Sequence, residues 1–248
     1  EPIQSTGTAF KNIGVIVIDN ASKKIESNSL YEIKEDTAKD ATVAAAAKVI
    51  VDRVNNEYGV KFATSKVELN GAKAPNGNRD VETKNGDLIT DAMRWKVLQN
   101  KDGLTVNEDH VVAITNGGGI RAAIAKGDVT KKDINTVLPF GNTVAVVYVT
   151  GEQLLEALEA STFSTPTAVG GFPQVSGINF TIHTGKAYDK NDATYPESTY
   201  YGPKTINRVV INSVNGKEFK ANEVYAVVTN NFCAAGGDTY YAFKAASA

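Results

Sequence analysis

The 248-residue chain has one cysteine and two histidines, and that scarcity excludes several chemistries before any motif is considered. A single thiol, Cys233, forms neither an intrachain disulfide nor a structural zinc cluster, and with no histidine near it in sequence it reads as a small buried filler. His110 and His183 lie far apart, and neither sits in a metal-ligating or nucleophile-activating pattern, so both read as structural or solvated. No run of 18 apolar residues is present, so no transmembrane helix is expected. With 26 basic and 28 acidic side chains the charge nearly balances. Nothing draws the chain as a whole to nucleic acid polymers or anionic membranes, and any anion site must be local. The opening Glu1-Pro2-Ile3-Gln4 has no leader-like character, and the chain reads as a fragment or a processed product.

The patterning mixes helices and strands without strict alternation, which gives an α+β class: mixed sheets with flanking helices. Residues 15–18 and 25–33, joined by a polar turn, predict a β-hairpin. Residues 37–58 predict a helix, with Thr37 as N-cap and Gly59 as stop. Further strands are expected at 61–69, 111–115, 144–149, 178–182, 206–211 and 224–229. Helices are expected at 85–100 and 151–160, and a short one at the end. Residues 70–78, 188–203 and 230–238 read as loops, the second as a long surface loop.

Four stretches can carry chemistry. Thr115-Asn116-Gly117-Gly118-Gly119-Ile120-Arg121 follows an apolar strand. Its glycine N–H groups can form an anion cradle, Asn116 offers an amide and Arg121 a bidentate fork. It fits neither a P-loop nor a dinucleotide fingerprint, and a flexible turn with a surface arginine is the competing reading. Leu138-Pro139-Phe140-Gly141-Asn142 offers a ring for stacking on a base and an amide for its edge, or else tucks Phe140 into the core. The 229–238 stretch presents Phe232 and Asp238. The carboxylate can accept two ribose hydroxyls or cap the following helix. Arg79 alone is only a loop arginine.

Taken in order with Asn85-Gly86-Asp87-Leu88-Ile89-Thr90-Asp91-Ala92-Met93 and Gln174-Val175-Ser176-Gly177-Ile178, these stretches resemble the C-terminal domain of the 5'-nucleotidase family. That family includes ecto-5'-nucleotidases, UDP-sugar hydrolases and 2',3'-cyclic-nucleotide phosphodiesterases. The resemblance implies three segments: 1–36 as the tail of a metallophosphatase domain, 37–59 as a linker helix, and 60–248 as the nucleotide-binding domain. It implies a substrate site of Arg79, Asn116, Gly118, Gly119, Arg121, Phe140, Asn142, Phe232 and Asp238. Phe140 and Phe232 would sandwich the base, Asn142 would meet its edge, and Asp238 would take the ribose hydroxyls. Arg121 and Arg79 would hold phosphate, with Asn116 beside the reacting group. Some members carry a further arginine where this chain has Pro75, so that phosphate contact is not carried over.

The resemblance further implies that no residue of this chain is catalytic and that it holds no metal. Two divalent ions, zinc, manganese or similar, would sit in the N-terminal domain, which is the implied partner together with a nucleotide or nucleoside. The parent would be a bacterial secreted, cell-wall or periplasmic hydrolase that turns about a hinge near 58–62. A non-catalytic surface binding or adhesion module with the same fold is the alternative, and a stand-alone hydrolase with its own metal site is a third.

Overall fold

In the computed structural model, which describes residues 5–8 and 10–246, the chain divides into two units, Glu1–Val54 and Asn55–Ala248. Residues 1–4 and 9 of the expected 1–36 segment lie outside the described residues. In the first unit, β1 (Asn12–Ile18) and β2 (Ile25–Glu32) pair antiparallel with Asn12 opposite Glu32. The turn between them is closed where Ser22 N donates to Asp19 Oδ1 at 2.6 Å, and the Ser22 hydroxyl first, then this N–H, hold the Asp19 carboxyl below its usual pKa. Helix α1 (Ala41–Tyr58) runs through the division between units and has no buried residue.

The helix starts later than its sequence suggests. Asp40 Oδ1 accepts from Thr42 N and Val43 N, both at 2.9 Å, and so takes the capping role. Thr37 instead accepts Lys34 N at 2.8 Å. An aspartate beside the first turn caps better than a threonine three residues earlier, because its carboxylate reaches two orphan N–H groups at once.

The second unit runs β3 (Lys61–Ser65), α2 (Lys84–Leu98), β4 (Val111–Asn116), β5 (Gly127–Thr130), α3 (Lys131–Val137), β6 (Val144–Thr150) and α4 (Gly151–Ser161). It continues with β7 (Pro173–Ser176), β8 (Ile178–Ile182), β9 (Lys190–Thr194), β10 (Tyr201–Pro203), β11 (Val209–Val214), β12 (Val224–Asn230), α5 (Asn231–Ala234) and α6 (Tyr241–Ala246). The class is α+β.

The centre is a four-stranded sheet in the order β6-β12-β4-β7, with β12 parallel to β4 and the other pairs antiparallel. Both inner strands are apolar up to their closing Thr-Asn pairs because both of their faces are covered. On one face Val112, Ile114, Tyr225 and Val227 pack with Leu154 and Leu158 of α4, and with Tyr240 and Phe243. On the other, Val111, Ala113, Ala226 and Val228 pack against Met93 and Val97 of α2. This two-residue alternation is the strand period. Cys233 belongs to the first cluster, fully buried, and burial pushes its thiol up to about 12.

Local devices fix the helices that frame the sheet. Thr83 caps α2 by accepting Gly86 N at 3.0 Å. Thr150 and Gln153 close a reciprocal capping box on α4. At the other end of α4, Glu159 is fully buried and accepts the backbone N–H of Arg208 at 3.1 Å and of Val209 at 2.8 Å. The buried Arg208 guanidinium donates to Thr162 O and Thr165 O, both at 2.6 Å.

Three segments depart from the sequence reading. Residues 188–203 are not a surface loop: β9 and β10 pair antiparallel there, and Tyr195 between them is buried. Residues 230–238 are not all loop either, since a single turn of helix, α5, opens them with Asn230 as its cap. The strand expected at 206–211 is β11, shifted to Val209–Val214 by its pairing with β8.

Candidate functional site

The chain reversal after β4 sets one wall of the site. Gly117 N donates to Phe172 O at 2.8 Å and Gly118 N to Gly170 O at 2.7 Å, which pins the glycine turn against the segment leading into β7. A Cβ on Gly117 would lie 1.7 Å from Asn78 O, so only glycine lets the turn pass the loop that carries Arg79. That loop is held from the other side by the buried Gln174, whose amide donates to Asn78 O and Val81 O and accepts from Thr83 N. Val169 N donates to Arg79 O at 3.0 Å.

Two further loops close the site, and they are tied to each other. Thr143 N donates to Asn231 Oδ1 at 2.9 Å, and Asn231 N donates back to Thr143 O at 3.0 Å. This reciprocal pair fixes the loop bearing Phe140 and Asn142 relative to the turn bearing Phe232. The glycine turn joins in through Arg121 N, which donates to Val137 O at 2.8 Å.

The result is one cleft of about 530 Å³. It is lined by all nine residues singled out from sequence: Arg79, Asn116, Gly118, Gly119, Arg121, Phe140, Asn142, Phe232 and Asp238. Gly170 and Tyr200 also line it. Phe140 is 60% exposed and Phe232 43%, an unusual state for phenylalanine and the opposite of core packing. A Cβ on Gly237 would lie 2.5 Å from the Phe232 ring, so this glycine admits the ring in its observed place. The Arg121 guanidinium carbon sits 5.6 Å from the Phe140 ring centre, within cation–π range.

Asp238 is oriented by a chain of amides. Asn116 Nδ2 donates to Asp238 Oδ2 at 2.8 Å, and Asn230 Nδ2 donates to Asn116 Oδ1 at 3.1 Å and to Thr115 Oγ1 at 3.0 Å. Asn230 in turn accepts Cys233 N as the cap of α5. The Asn116 amide keeps one N–H and one lone pair for a ligand. On the cationic side Arg79 has a buried Nε with no partner, and Arg121 donates to Gly118 O at 3.2 Å. An unpaired buried donor on a cation is costly, and an anion in the cleft would offset it. One carboxylate, two guanidiniums and two exposed rings can grip an amphipathic, anionic, polyhydroxylated ligand with a flat apolar part.

Both histidines lie elsewhere. His183 is exposed. His110 is partly buried between two carboxylates, with Nδ1 at 3.0 Å from Asp109 and Nε2 at 2.6 Å from Glu223. The Glu223 and Asp109 hydrogen bonds raise its pKa against the opposing effect of burial. Among the described residues no group of three or more His, Cys, Asp or Glu is arranged to hold a metal. No helix among the described residues is long and apolar enough to cross a membrane.

Tyr200 and Gly170 escaped the sequence reading. Tyr200 was hidden in a polar segment read as loop. Gly170, in Gly170-Gly171 just before β7, had only its glycine pair as a signal.

Comparison with known proteins identifies the family. The chain is 34% identical over 245 residues to the trifunctional nucleotide phosphoesterase protein YfkN of Bacillus subtilis (strain 168), covering 96% of this chain and 15% of that protein. It is 33% identical over 174 residues to the cell wall protein Lmo0130 of Listeria monocytogenes, covering 68% of this chain and 19% of that protein. Its fold is similar to a crystal structure of the 5'-nucleotidase precursor from Thermus thermophilus, with a TM-score of 0.63 and 28% identity, over 94% of this chain and 42% of that one. The chain thus spans less than half the length of each of these three proteins. The model of the 5'-nucleotidase C-terminal domain matches residues 61–245, and the chain belongs to that family.

Proposed function

We propose that residues 60–248 are the nucleotide-recognition domain of a longer, metal-dependent phosphoesterase that hydrolyses nucleotide phosphate esters. The gathering of nine residues into one cleft, with two phenylalanines left exposed there, carries the reading. Phe140 and Phe232 stack on the base and Asn142 meets its edge. Asp238, held by Asn116, accepts the ribose hydroxyls. Arg79 and Arg121 hold phosphate, and the remaining N–H of Asn116 lies beside the reacting group.

Two divalent metals and the group that activates water belong to an N-terminal metallophosphatase domain in this reading, with 1–36 as its tail, 37–59 as the linker helix and a hinge near 58–62. The isolated chain binds nucleotide without turning it over. The relatives support a hydrolase parent, one being named a nucleotide phosphoesterase. The relative named a cell wall protein supports an extracellular, cell-surface or periplasmic setting.

Two stacking contacts of about 1–3 kcal/mol each give a modest affinity. The expected outcome of titrating the chain with a panel of 5'-mononucleotides, 2',3'-cyclic nucleotides and UDP-sugars is saturable binding without product. Asp238→Ala weakens every ribonucleotide. Binding of none of the panel, or hydrolysis accompanied by stoichiometric bound metal, would refute the proposal.

A further inference from the structure

The cleft does not end at Phe232. A second cavity of about 710 Å³ lies beyond it, lined by the 196–200 segment, by 235–238, and by Tyr241 and Lys244. Three residues line both cavities: Phe232, Asp238 and Tyr200. The first two already have roles in the proposed site, as base platform and sugar acceptor. Tyr200 has none.

Tyr200 is presented by a braced segment. Tyr195 N donates to Tyr200 O at 2.8 Å, and Tyr200 N donates to Ser198 Oγ at 3.0 Å. The buried Tyr195 is itself anchored, with its hydroxyl on Glu156 at 2.9 Å and its ring stacked on Tyr241 at 4.7 Å. The Tyr200 ring meets Phe163 edge-on at 6.0 Å. Its backbone and ring are therefore held, yet no described residue hydrogen-bonds its hydroxyl. A phenol so placed costs little conformational entropy when a ligand uses it, because only the O–H rotor is left to order. Partial burial, and then the nearby Asp238 carboxylate, raise its pKa, so it stays a proton donor at neutral pH.

We propose that Tyr200 is a specificity-determining residue for the sugar: its phenol and the Asp238 carboxylate form a donor–acceptor pair that reads the ribose hydroxyls. Asp238 can only accept when ionised, whereas Tyr200 both donates and accepts, so together they satisfy a hydroxyl that a carboxylate alone would leave half-paired. This inference rests on the nucleotide reading of the cleft.

The test is calorimetric titration of this chain, of Tyr200→Phe and of Phe232→Ala with adenosine, 2'-deoxyadenosine and 3'-deoxyadenosine. Tyr200→Phe keeps the ring on Phe163 and removes only the hydroxyl. Its expected effect is adenosine binding about five- to tenfold weaker, the loss of one hydrogen bond. At least one deoxynucleoside should bind the variant and the unchanged chain equally. Equal binding of adenosine to both, or the same loss for all three nucleosides, overturns the proposal. If Phe232→Ala loses adenosine and Tyr200→Phe does not, the nucleotide reading stands and the role of Tyr200 alone falls. If the unchanged chain binds none of the three, both fall together.

Discussion

Asp87 and His110 both have shifted pKa values, and each yields a pH prediction. Burial first, then the neighbouring Glu82 and Asp91 carboxylates, raise Asp87 to about 6. The folded state then holds this proton more tightly than the unfolded state does, so stability falls as pH rises from about 4 through 6. Asp87→Asn is expected to raise the melting temperature at pH 7 and to change it little at pH 4, as followed by thermal melts. The converse holds for His110. Its raised pKa contributes stability that is full below about 6.5 and is lost as pH rises through the elevated value. His110→Gln should therefore cost more at pH 6 than at pH 9 in the same assay. At the site, the grouping of Arg79, Arg121, Phe140, Phe232 and Asp238 was legible only through the family resemblance that the order of several short motifs carries, since each residue alone also fits an ordinary turn, cap or core role. Tyr200 was not, since a tyrosine among Asp, Asn, Ser and Pro carries no periodicity.

Elements were legible where burial on both faces or a helical period leaves a strong imprint. The run Val224–Asn230 and the amphipathic α4 are such cases. β5, α3 and β7 were missed: none exceeds seven residues, and pairing or packing with distant segments, not propensity, decides them. β9 and β10 were missed because they are short, polar and paired only to each other. Two substitutions probe how α4 is held. Thr150→Ala removes the acceptor for Gln153 N and should cost about 1 kcal/mol in denaturant unfolding. Glu159→Ala orphans the buried N–H groups of Arg208 and Val209 and should cost more, about 1–3 kcal/mol for each group left unpaired. Glu159→Gln, which keeps one acceptor oxygen, should fall between them.

For the molecule as a whole, composition set only coarse expectations: two histidines far apart in sequence and one cysteine gave no metal-ligating or nucleophile-activating pattern. Strand order was not legible, because β12 enters the sheet between β6 and β4 by contacts more than sixty residues apart in sequence. The cleft lies entirely within the unit Asn55–Ala248, so a chain beginning at Asn55 should keep its nucleotide binding. Chemical-shift titration with AMP of the full chain, Phe140→Ala and Phe232→Ala decides whether the cleft recognises nucleotides. Saturable shifts at Phe140 and Phe232 in the unchanged chain, lost or weakened more than tenfold in either alanine variant, are the predicted result. No shift at either ring, or undiminished binding in both variants, would contradict it.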